Sequence, residues 1–143
     1  MAAPWRSLIA LLALIVAGAA AAALLMRADD AHDNRRTFDM ATFRAAQAAG
    51  EPILVETWAS WCGTCRAQSN ALDRLAADGE MAGVAVFRLD VDRNPADMRA
   101  LGADAQSTLL AYCGETLTAR SVGETRPRRI ANMVKTLAAC TAN

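Results

Sequence analysis

Two cysteines, Cys62 and Cys65, stand three residues apart where an apolar, strand-like segment gives way to a helical one. Side chains three apart lie on the same face of a helix, so the second sulfur can reach the first. A thiolate at a helix N-terminus faces unpaired N–H groups and the positive end of the helix dipole. Both favour the anion, which is the reactive form of cysteine. The spacing therefore predicts a pair that can open and close a disulfide.

The elements around this pair alternate between strands and helices. The segment before it, 53–58, is apolar except for Glu56, a pattern typical of a strand buried on both faces. The predicted helix 62–78 follows, with Leu72 and Leu75 on one side. The other predicted elements are an edge strand at 37–39, helices at 40–49, 95–101 and 126–140, and strands at 84–89, 108–112 and 116–122. This order, which includes a hairpin, predicts an α/β fold with a central mixed β-sheet flanked by helices.

A separate N-terminal segment precedes this part of the chain. Leu8–Met26 is a run of 19 residues without a charged or polar side chain, and a bilayer core needs about 20. We expect residues 1–27 to form one transmembrane helix that anchors the protein, with a cleaved signal peptide as the alternative. Residues 28–36 are predicted to be a polar linker, in which His32 is solvated, and residues 37–143 the folded domain.

Composition narrows the possible functions. The chain has 143 residues, with 15 basic and 15 acidic side chains, so its formal net charge is zero. A nucleic-acid surface would need clustered positive charge, so we expect no nucleic-acid partner. No glycine-rich phosphate-binding loop is present in the sequence, and we expect no cofactor and no resident metal.

The segment Trp58-Ala59-Ser60-Trp61-Cys62-Gly63-Thr64-Cys65-Arg66 resembles the active-site segment of thioredoxins, whose usual form is Trp-Cys-Gly-Pro-Cys-Lys. The resemblance continues at Asp90-Val91-Asp92, Asn94-Pro95, Thr108-Leu109-Leu110 and Val122-Gly123, and covers roughly residues 37–140. It implies a thioredoxin-like fold and thiol–disulfide exchange. Together with the apolar N-terminal segment, the chain resembles the membrane-tethered, exported thioredoxin-like proteins of bacteria.

The resemblance also implies a role for each matching residue. Cys62 matches the exposed attacking thiol, and Cys65 matches the buried resolving thiol. Glu56 matches a buried acid beneath the cysteines, and because a buried carboxyl prefers to be neutral, it could take and return the proton of Cys65. Trp61 would shield the site and offer a flat contact surface. The other residues expected around the site are Trp58, Gly63, Thr64, Ser107 and Thr108.

Two of these residues depart from the family pattern. Thr64 replaces the usual proline between the cysteines, so the redox potential cannot be carried over. Ser107 stands where the family has a cis-proline. A cis bond before serine costs about 2.5–4 kcal/mol, so we expect the Gln106–Ser107 peptide to be trans, with an altered loop. We also expect more room beside the two sulfurs, which could admit a metal ion.

A second cysteine pair follows from the family topology. Cys113 comes after the third central strand and Cys140 ends the last predicted helix, so both should lie at the pole opposite Cys62. An even number of cysteines in an exported protein suggests pairing, and we expect a structural Cys113–Cys140 disulfide. Two separate buried thiols are the alternative.

The function that these observations favour is a thiol–disulfide oxidoreductase, acting as a disulfide reductase. Its partners would be protein thiols and disulfides, an electron donor or acceptor that the sequence does not identify, and the membrane through the N-terminal helix. We expect a single-pass inner-membrane protein with its domain in the periplasm, or a secreted protein if the segment is cleaved. A metal-delivery module that uses Cys62 and Cys65, and a redox-inert interaction domain, are the alternatives.

Overall fold

The computed structural model of the protein describes residues 35–141. The predicted anchor, residues 1–27, and nearly all of the predicted linker therefore lie outside the described residues. Across residues 35–141, no helix combines the length and apolar character that crossing a membrane requires.

Five strands and four helices alternate along the described chain, followed by a short 3₁₀ helix. In chain order they are β1 (Arg35–Thr37), α1 (Met40–Ala48), β2 (Pro52–Trp58), α2 (Gly63–Ala77), β3 (Ala85–Asp90), α3 (Pro95–Ala100), β4 (Thr108–Cys113), β5 (Thr116–Val122), α4 (Pro127–Lys135) and the 3₁₀ helix (Thr136–Thr141).

The five strands form one mixed sheet in the order β1-β3-β2-β4-β5. Strand β3 runs parallel to both β1 and β2, whereas β4 runs antiparallel to β2 and to β5. The central strand β2 is thus paired on both sides, as its apolar sequence predicts. The predicted mixed sheet flanked by helices is confirmed.

Each face of the sheet is covered by its own apolar core. On one face Leu54, Val86 and Leu109 pack with residues of α2 and α4, among them Leu72 and Ile130. On the other face a second cluster surrounds α1, and its buried members include Phe38, Phe43, Ile53, Val55, Phe87, Leu89, Leu110 and Tyr112. The burial of β2 on both faces fixes its position in the sheet. Cys62 and Cys65 follow closely after its C-terminal end.

The predicted bounds of two elements are wrong by more than one residue. Strand β1 begins at Arg35 rather than at residue 37, inside the segment predicted to be a linker. Arg35 belongs to the fold because its guanidinium bonds to the Ser69 carbonyl and to Asp73 on α2. The last helix stops at Lys135, and residues 136–141 continue as a 3₁₀ helix rather than as an α-helix.

Candidate active site

Cys62 and Cys65 lie at the junction between β2 and α2, as their sequence position predicts. Cys62 is the N-cap of α2, with its backbone in an extended conformation, and Cys65 is in the first turn. The two residues are joined in a disulfide, with their Cα atoms 5.2 Å apart. The Cys65 backbone N–H donates to Cys62 Sγ over 3.0 Å. The helix N-terminus therefore presents a donor to the sulfur that would carry negative charge after reduction.

The exposure of this pair is smaller than expected. Cys62 retains 5% of its surface and Cys65 retains none, whereas the resemblance implied a plainly exposed first thiol. The physical reason is the capping geometry, which turns the Cys62 side chain toward the helix and the Ser107 loop. The order of exposure agrees with the expected roles, since Cys62 is the residue of the pair that keeps some exposed surface.

Ser107 occupies the space directly beside the two sulfurs. Its hydroxyl oxygen lies 3.3 Å from Cys62 Sγ and 3.1 Å from Cys65 Sγ, and the residue is 3% exposed. The described residues contain no cis peptide bond, so the predicted trans Gln106–Ser107 peptide is confirmed. The altered loop takes an unusual form, because Ser107 has a φ of 60°, in the left-handed region that a non-glycine residue seldom adopts.

Hydrogen bonds from three directions hold the Ser107 backbone in this conformation. Its N–H donates to the Thr57 carbonyl over 2.9 Å. Its carbonyl accepts from the Gly123 N–H over 2.8 Å and from Gln68 Nε2 over 3.1 Å. An unfavourable φ persists only where the surroundings fix it, and these contacts from β2, α2 and the segment after β5 do so.

Thr108, the first residue of β4, ties the same loop to β2. Its N–H donates to Thr57 Oγ1 over 2.8 Å, and its hydroxyl donates to the Ala105 carbonyl over 2.7 Å. Thr57 Oγ1 in turn donates to the Ala105 carbonyl over 3.0 Å. Thr57 and Thr108 are fully buried, so the bond between them is shielded from solvent.

Glu56 is fully buried, as the resemblance implied, and both of its carboxylate oxygens have polar partners. One carboxylate oxygen accepts from the Ser69 hydroxyl over 2.5 Å, and the other forms an ion pair with Arg88 Nε over 3.2 Å. Ser69 is one helical turn beyond Cys65 on α2, so the carboxylate lies deeper than the sulfurs. The expected catalytic role of Glu56 remains a prediction.

The tryptophans and the residues between the cysteines shape the outer rim. Trp61 is 60% exposed, and its ring N–H donates to Asp92 over 2.8 Å, which fixes a flat apolar surface next to Cys62. Trp58 is partly buried beneath the Arg88 guanidinium, 5.2 Å from the ring centroid. Gly63 and Thr64 are exposed in the first turn of α2.

Cys113 and Cys140 are joined in a disulfide at the opposite end of the domain. Their Cα atoms are 5.3 Å apart. Cys113 pairs in register with Pro52 at the start of β2, whereas Cys62 follows the end of that strand. This bridge attaches the 3₁₀ helix to the sheet, far from the redox pair.

Gln68 and Arg88 are site residues that the sequence analysis missed. Gln68 is fully buried on α2, and its amide nitrogen donates to the Ser107 and Glu124 carbonyls over 3.1 and 2.9 Å. A polar residue one turn before Leu72, on the apolar face of the helix, was the available signal. For Arg88, the signal was its place on the strand parallel to β2, where it lies opposite Glu56 in register.

The room that was expected for a metal beside the cysteines is filled. The Ser107 side chain occupies it, within 3.3 Å of both sulfurs. Over residues 35–141, there is no group of three or more His, Cys, Asp or Glu side chains arranged to hold a metal ion. The metal-delivery alternative therefore loses the observation that motivated it.

Known proteins resemble this chain in both sequence and structure. The family model described as thioredoxin matches residues 34–136. A thioredoxin of Alicyclobacillus acidocaldarius is 35% identical over 78 residues, which are 54% of this chain and 73% of the relative. The thiol:disulfide interchange protein DsbE of Yersinia pestis is 50% identical over 44 residues, 31% of this chain and 21% of that protein.

A solved structure agrees with the sequence comparison. The crystal structure of Trxlp from Edwardsiella tarda superimposes with a TM-score of 0.66 at 32% identity, covering 70% of this chain and 97% of that one. The residues that the family model matches include Cys62 and Cys65, which form the disulfide at the N-terminus of α2. The chain belongs to the thioredoxin family, and it is a thiol–disulfide oxidoreductase.

Proposed function

We propose that this oxidoreductase is a disulfide reductase tethered to a bacterial inner membrane, with its thioredoxin-like domain on the periplasmic side. The observation that carries the chemistry is the position of Cys62, an N-cap residue that keeps 5% of its surface exposed and whose sulfur accepts the Cys65 N–H over 3.0 Å. Cys62 attacks a protein disulfide and forms a mixed disulfide. Cys65 then attacks Cys62, and the substrate leaves as a dithiol.

The reducing direction is supported by the residues around the pair. Gly63 and Glu56 resemble the reducing members of the family more than the oxidases that have histidine between the cysteines. The matching relatives include several proteins described as thioredoxins. The proposed reaction consumes two electrons per turnover, so a membrane-associated or periplasmic dithiol donor must reduce the Cys62–Cys65 disulfide again.

The proposed location is supported by the N-terminal sequence. Leu8–Met26 is long enough to span a bilayer and lies between Arg6 and Arg27. The second disulfide also suits a compartment in which disulfides persist. The location can be tested by adding protease to spheroplasts that express the full-length protein. Digestion of the domain, with a cytoplasmic marker intact, supports the periplasmic location, and protection overturns it.

The exchange reaction can be tested by trapping its intermediate. In Cys65→Ser, Cys62 can still attack a substrate but the mixed disulfide cannot be resolved. We expect covalent complexes with periplasmic proteins that disappear on adding a reductant. The matched control is Cys62→Ser/Cys65→Ser, which should trap none. Equal yields from the two variants, or no complexes from Cys65→Ser, would contradict the proposed exchange.

The direction of electron flow can be tested separately by measuring the reduction potential of the Cys62/Cys65 couple. A reductase should have a Cys62/Cys65 potential close to that of thioredoxin, which is about −270 mV. The potential of a strong oxidant such as DsbA is about −120 mV. Equilibration of the full-length protein with glutathione buffers, followed by mass analysis of the peptide that contains both cysteines, gives this value. A potential in the oxidant range would leave the exchange chemistry intact and reverse its direction.

A further inference from the structure

The buried space beside the disulfide contains a hydroxyl group in contact with both reacting sulfurs. Ser107 Oγ is 3.3 Å from Cys62 Sγ and 3.1 Å from Cys65 Sγ, within hydrogen-bonding range for sulfur. A serine hydroxyl has one donor and two acceptor sites. It can therefore accept a proton from one sulfur while it donates its own to the other, which a proline at this position could not do.

We propose that the Ser107 hydroxyl is a catalytic group of this dithiol, which relays the proton released by Cys65 and donates a hydrogen bond to the sulfur that carries negative charge. The inference rests on the thiol–disulfide exchange and applies to either direction of electron flow. In the reduced protein, the hydroxyl accepts from the Cys65 thiol and donates to the Cys62 thiolate. In the disulfide, whose sulfurs carry no hydrogen, it donates to one of them.

The resolving step balances with this relay. The Cys65 thiol passes its proton to Ser107 Oγ, and the Ser107 hydroxyl proton passes to the substrate sulfur that leaves Cys62. The Cys65 sulfur forms a bond to Cys62 Sγ as the bond between Cys62 and the substrate breaks. The Cys62–Cys65 pair is oxidised by two electrons, the substrate is reduced by two, and serine ends unchanged.

The acid expected to carry out this transfer has other partners. Both carboxylate oxygens of Glu56 are occupied, one by the Ser69 hydroxyl and the other by the Arg88 guanidinium. The other charged side chains on the elements around the cysteines also have polar partners: Arg66 bonds to the Ser60 carbonyl, Asp92 to the Trp61 ring N–H, and Glu124 to Arg126. The Ser107 hydroxyl is within hydrogen-bonding distance of both sulfurs, whereas these charged groups bond to other partners.

The backbone around Ser107 is organised to keep its hydroxyl in place. The left-handed φ of 60° is fixed by the hydrogen bonds from Gln68 and Gly123 to its carbonyl and by its own bond to Thr57. A left-handed backbone conformation is unfavourable for a non-glycine residue. Glycine would adopt this conformation freely, so the serine side chain brings a cost that its contact with both sulfurs can explain.

Two substitutions separate the hydroxyl from the backbone. Ser107→Ala removes the oxygen and keeps the strained φ, whereas Ser107→Gly removes the oxygen and relieves the strain. If the hydroxyl is the active element, the two variants behave alike. The thermal unfolding of both variants shows whether they fold, and Ser107→Gly provides the test if Ser107→Ala does not.

The first measurement is the alkylation rate of each cysteine against pH in the reduced full-length protein, resolved by mass analysis of its peptides. We expect both variants to raise the apparent pKa of Cys62 by about one unit, equivalent to about 1.4 kcal/mol. Cys113 and Cys140, at the opposite end of the domain, are internal controls whose profiles should not move.

The second measurement is the lifetime of the mixed disulfide that Cys62 forms with a small aromatic disulfide, followed by acid quenching. We expect this intermediate to persist about tenfold longer in both variants than in the wild type, because Cys65 loses the group that accepts its proton. In the Cys65→Ser reference the intermediate should not resolve at all.

Two results would overturn the inference. One is wild-type behaviour of both variants in the two measurements. The other is impairment of Ser107→Ala alone, which would assign the effect to the backbone. A wild-type protein that forms no mixed disulfide would instead contradict the proposed exchange, and the alkylation profiles would still decide the role of Ser107.

Discussion

At the scale of single residues, the two members of the Glu56–Arg88 ion pair differ in how deeply they are buried. Glu56 has no exposed surface, whereas the Arg88 side chain is 31% exposed. A buried charge that loses its partner costs far more than one that can turn toward water. The pair is therefore asymmetric, and the two possible deletions should have different effects on stability.

We expect Arg88→Met to lower the free energy of unfolding by about 3–5 kcal/mol, because it leaves the Glu56 carboxylate buried and uncompensated. Glu56→Gln should cost about 1–2 kcal/mol, since the amide still accepts a hydrogen bond from Ser69 and Arg88 can be solvated. Urea denaturation of the two variants and the wild type measures both values. A larger loss in Glu56→Gln than in Arg88→Met would show that Glu56 does not depend on Arg88.

Gln68 is a positioning residue, because it reaches the sulfurs through the Ser107 carbonyl rather than directly. Its Oε1 is buried and has no hydrogen-bond partner among residues 35–141, so replacing the amide also removes an acceptor that is unsatisfied there. We expect Gln68→Met to cost only about 1 kcal/mol of stability and yet to lengthen the life of the Cys62 mixed disulfide several-fold.

The matched control is Gln47→Met, which alters a buried glutamine on α1 whose side chain contacts Arg44. Both variants can be compared by urea denaturation and by the quenched reaction with an aromatic disulfide. If Gln47→Met and Gln68→Met change the lifetime of the intermediate equally, then the effect is one of general stability, and Gln68 has no special link to Ser107.

At the scale of elements, the segment between β5 and α4 connects the last helix to the active site. The Glu124 carbonyl accepts from Gln68, while its carboxylate binds the Arg126 guanidinium over 2.8 and 2.7 Å and the Arg126 N–H over 3.0 Å. These bonds from Arg126 lower the pKa of Glu124 from 4.5 to about 2. The carboxylate thus stabilises the start of α4 only while it is charged.

We expect Glu124→Gln to lower the unfolding temperature at pH 7 and the deficit to shrink as pH falls. A carboxyl whose pKa is lower in the folded state contributes its full stability above pH 4.5, and this contribution is lost as pH falls through about 2. Thermal unfolding of both proteins between pH 7 and about pH 2 measures the gap.

The control for this pH series is Glu115→Gln, in the exposed turn between β4 and β5. Its difference from the wild type should be small, because the Glu115 side chain is exposed. A deficit of Glu124→Gln that stays constant over this pH series would mean that the ion pair with Arg126 contributes nothing to the stability of the helix.

The elements themselves could be predicted because local sequence decides them. The apolar run of β2 and the glycine and proline signals around the helices placed the central elements within a few residues of their observed bounds. The start of β1 could not be found in this way, because Arg35 and Arg36 look like a solvated linker. Its pairing with β3 and the contact of Arg35 with Ser69 and Asp73, over thirty residues away, bring this strand into the fold.

The active site also combines features that local sequence predicts with features that long-range contacts determine. The spacing of Cys62 and Cys65 indicated the redox pair, and Ser107 could be recognised as a departure from the family pattern. That its hydroxyl meets both sulfurs depends on the positive φ and on hydrogen bonds from β2, α2 and the β5–α4 segment. These are long-range contacts, which no local pattern in a single sequence encodes.

At the scale of the whole molecule, the two disulfides lie at opposite ends of one sheet, and we expect one to be redox-active and the other to be structural. Cys62 and Cys65 are three residues apart and can exchange with a substrate, whereas Cys113 and Cys140 are 27 apart and close a long loop. In the chain-entropy account, closing a loop of that length stabilises the folded state by about 3 kcal/mol. The 3₁₀ helix that carries Cys140 contacts β2, β4 and β5, so the bridge reinforces the end of the sheet remote from the reaction.

The contribution of the remote bridge can be isolated in the Cys62→Ser/Cys65→Ser background, where it is the remaining disulfide of the described residues. Adding a strong dithiol to this protein should lower its free energy of unfolding by about 3 kcal/mol in urea. The control carries Cys113→Ala and Cys140→Ala in addition, and the dithiol should not change its stability.

In otherwise native protein, Cys113→Ala/Cys140→Ala should be destabilised by a similar amount and should keep the alkylation profile of Cys62, because the Ser107 contacts lie at the other end of β2. A change in the Cys62 profile would mean that the two ends of the sheet are coupled, and that the far disulfide takes part in setting the chemistry of the near one.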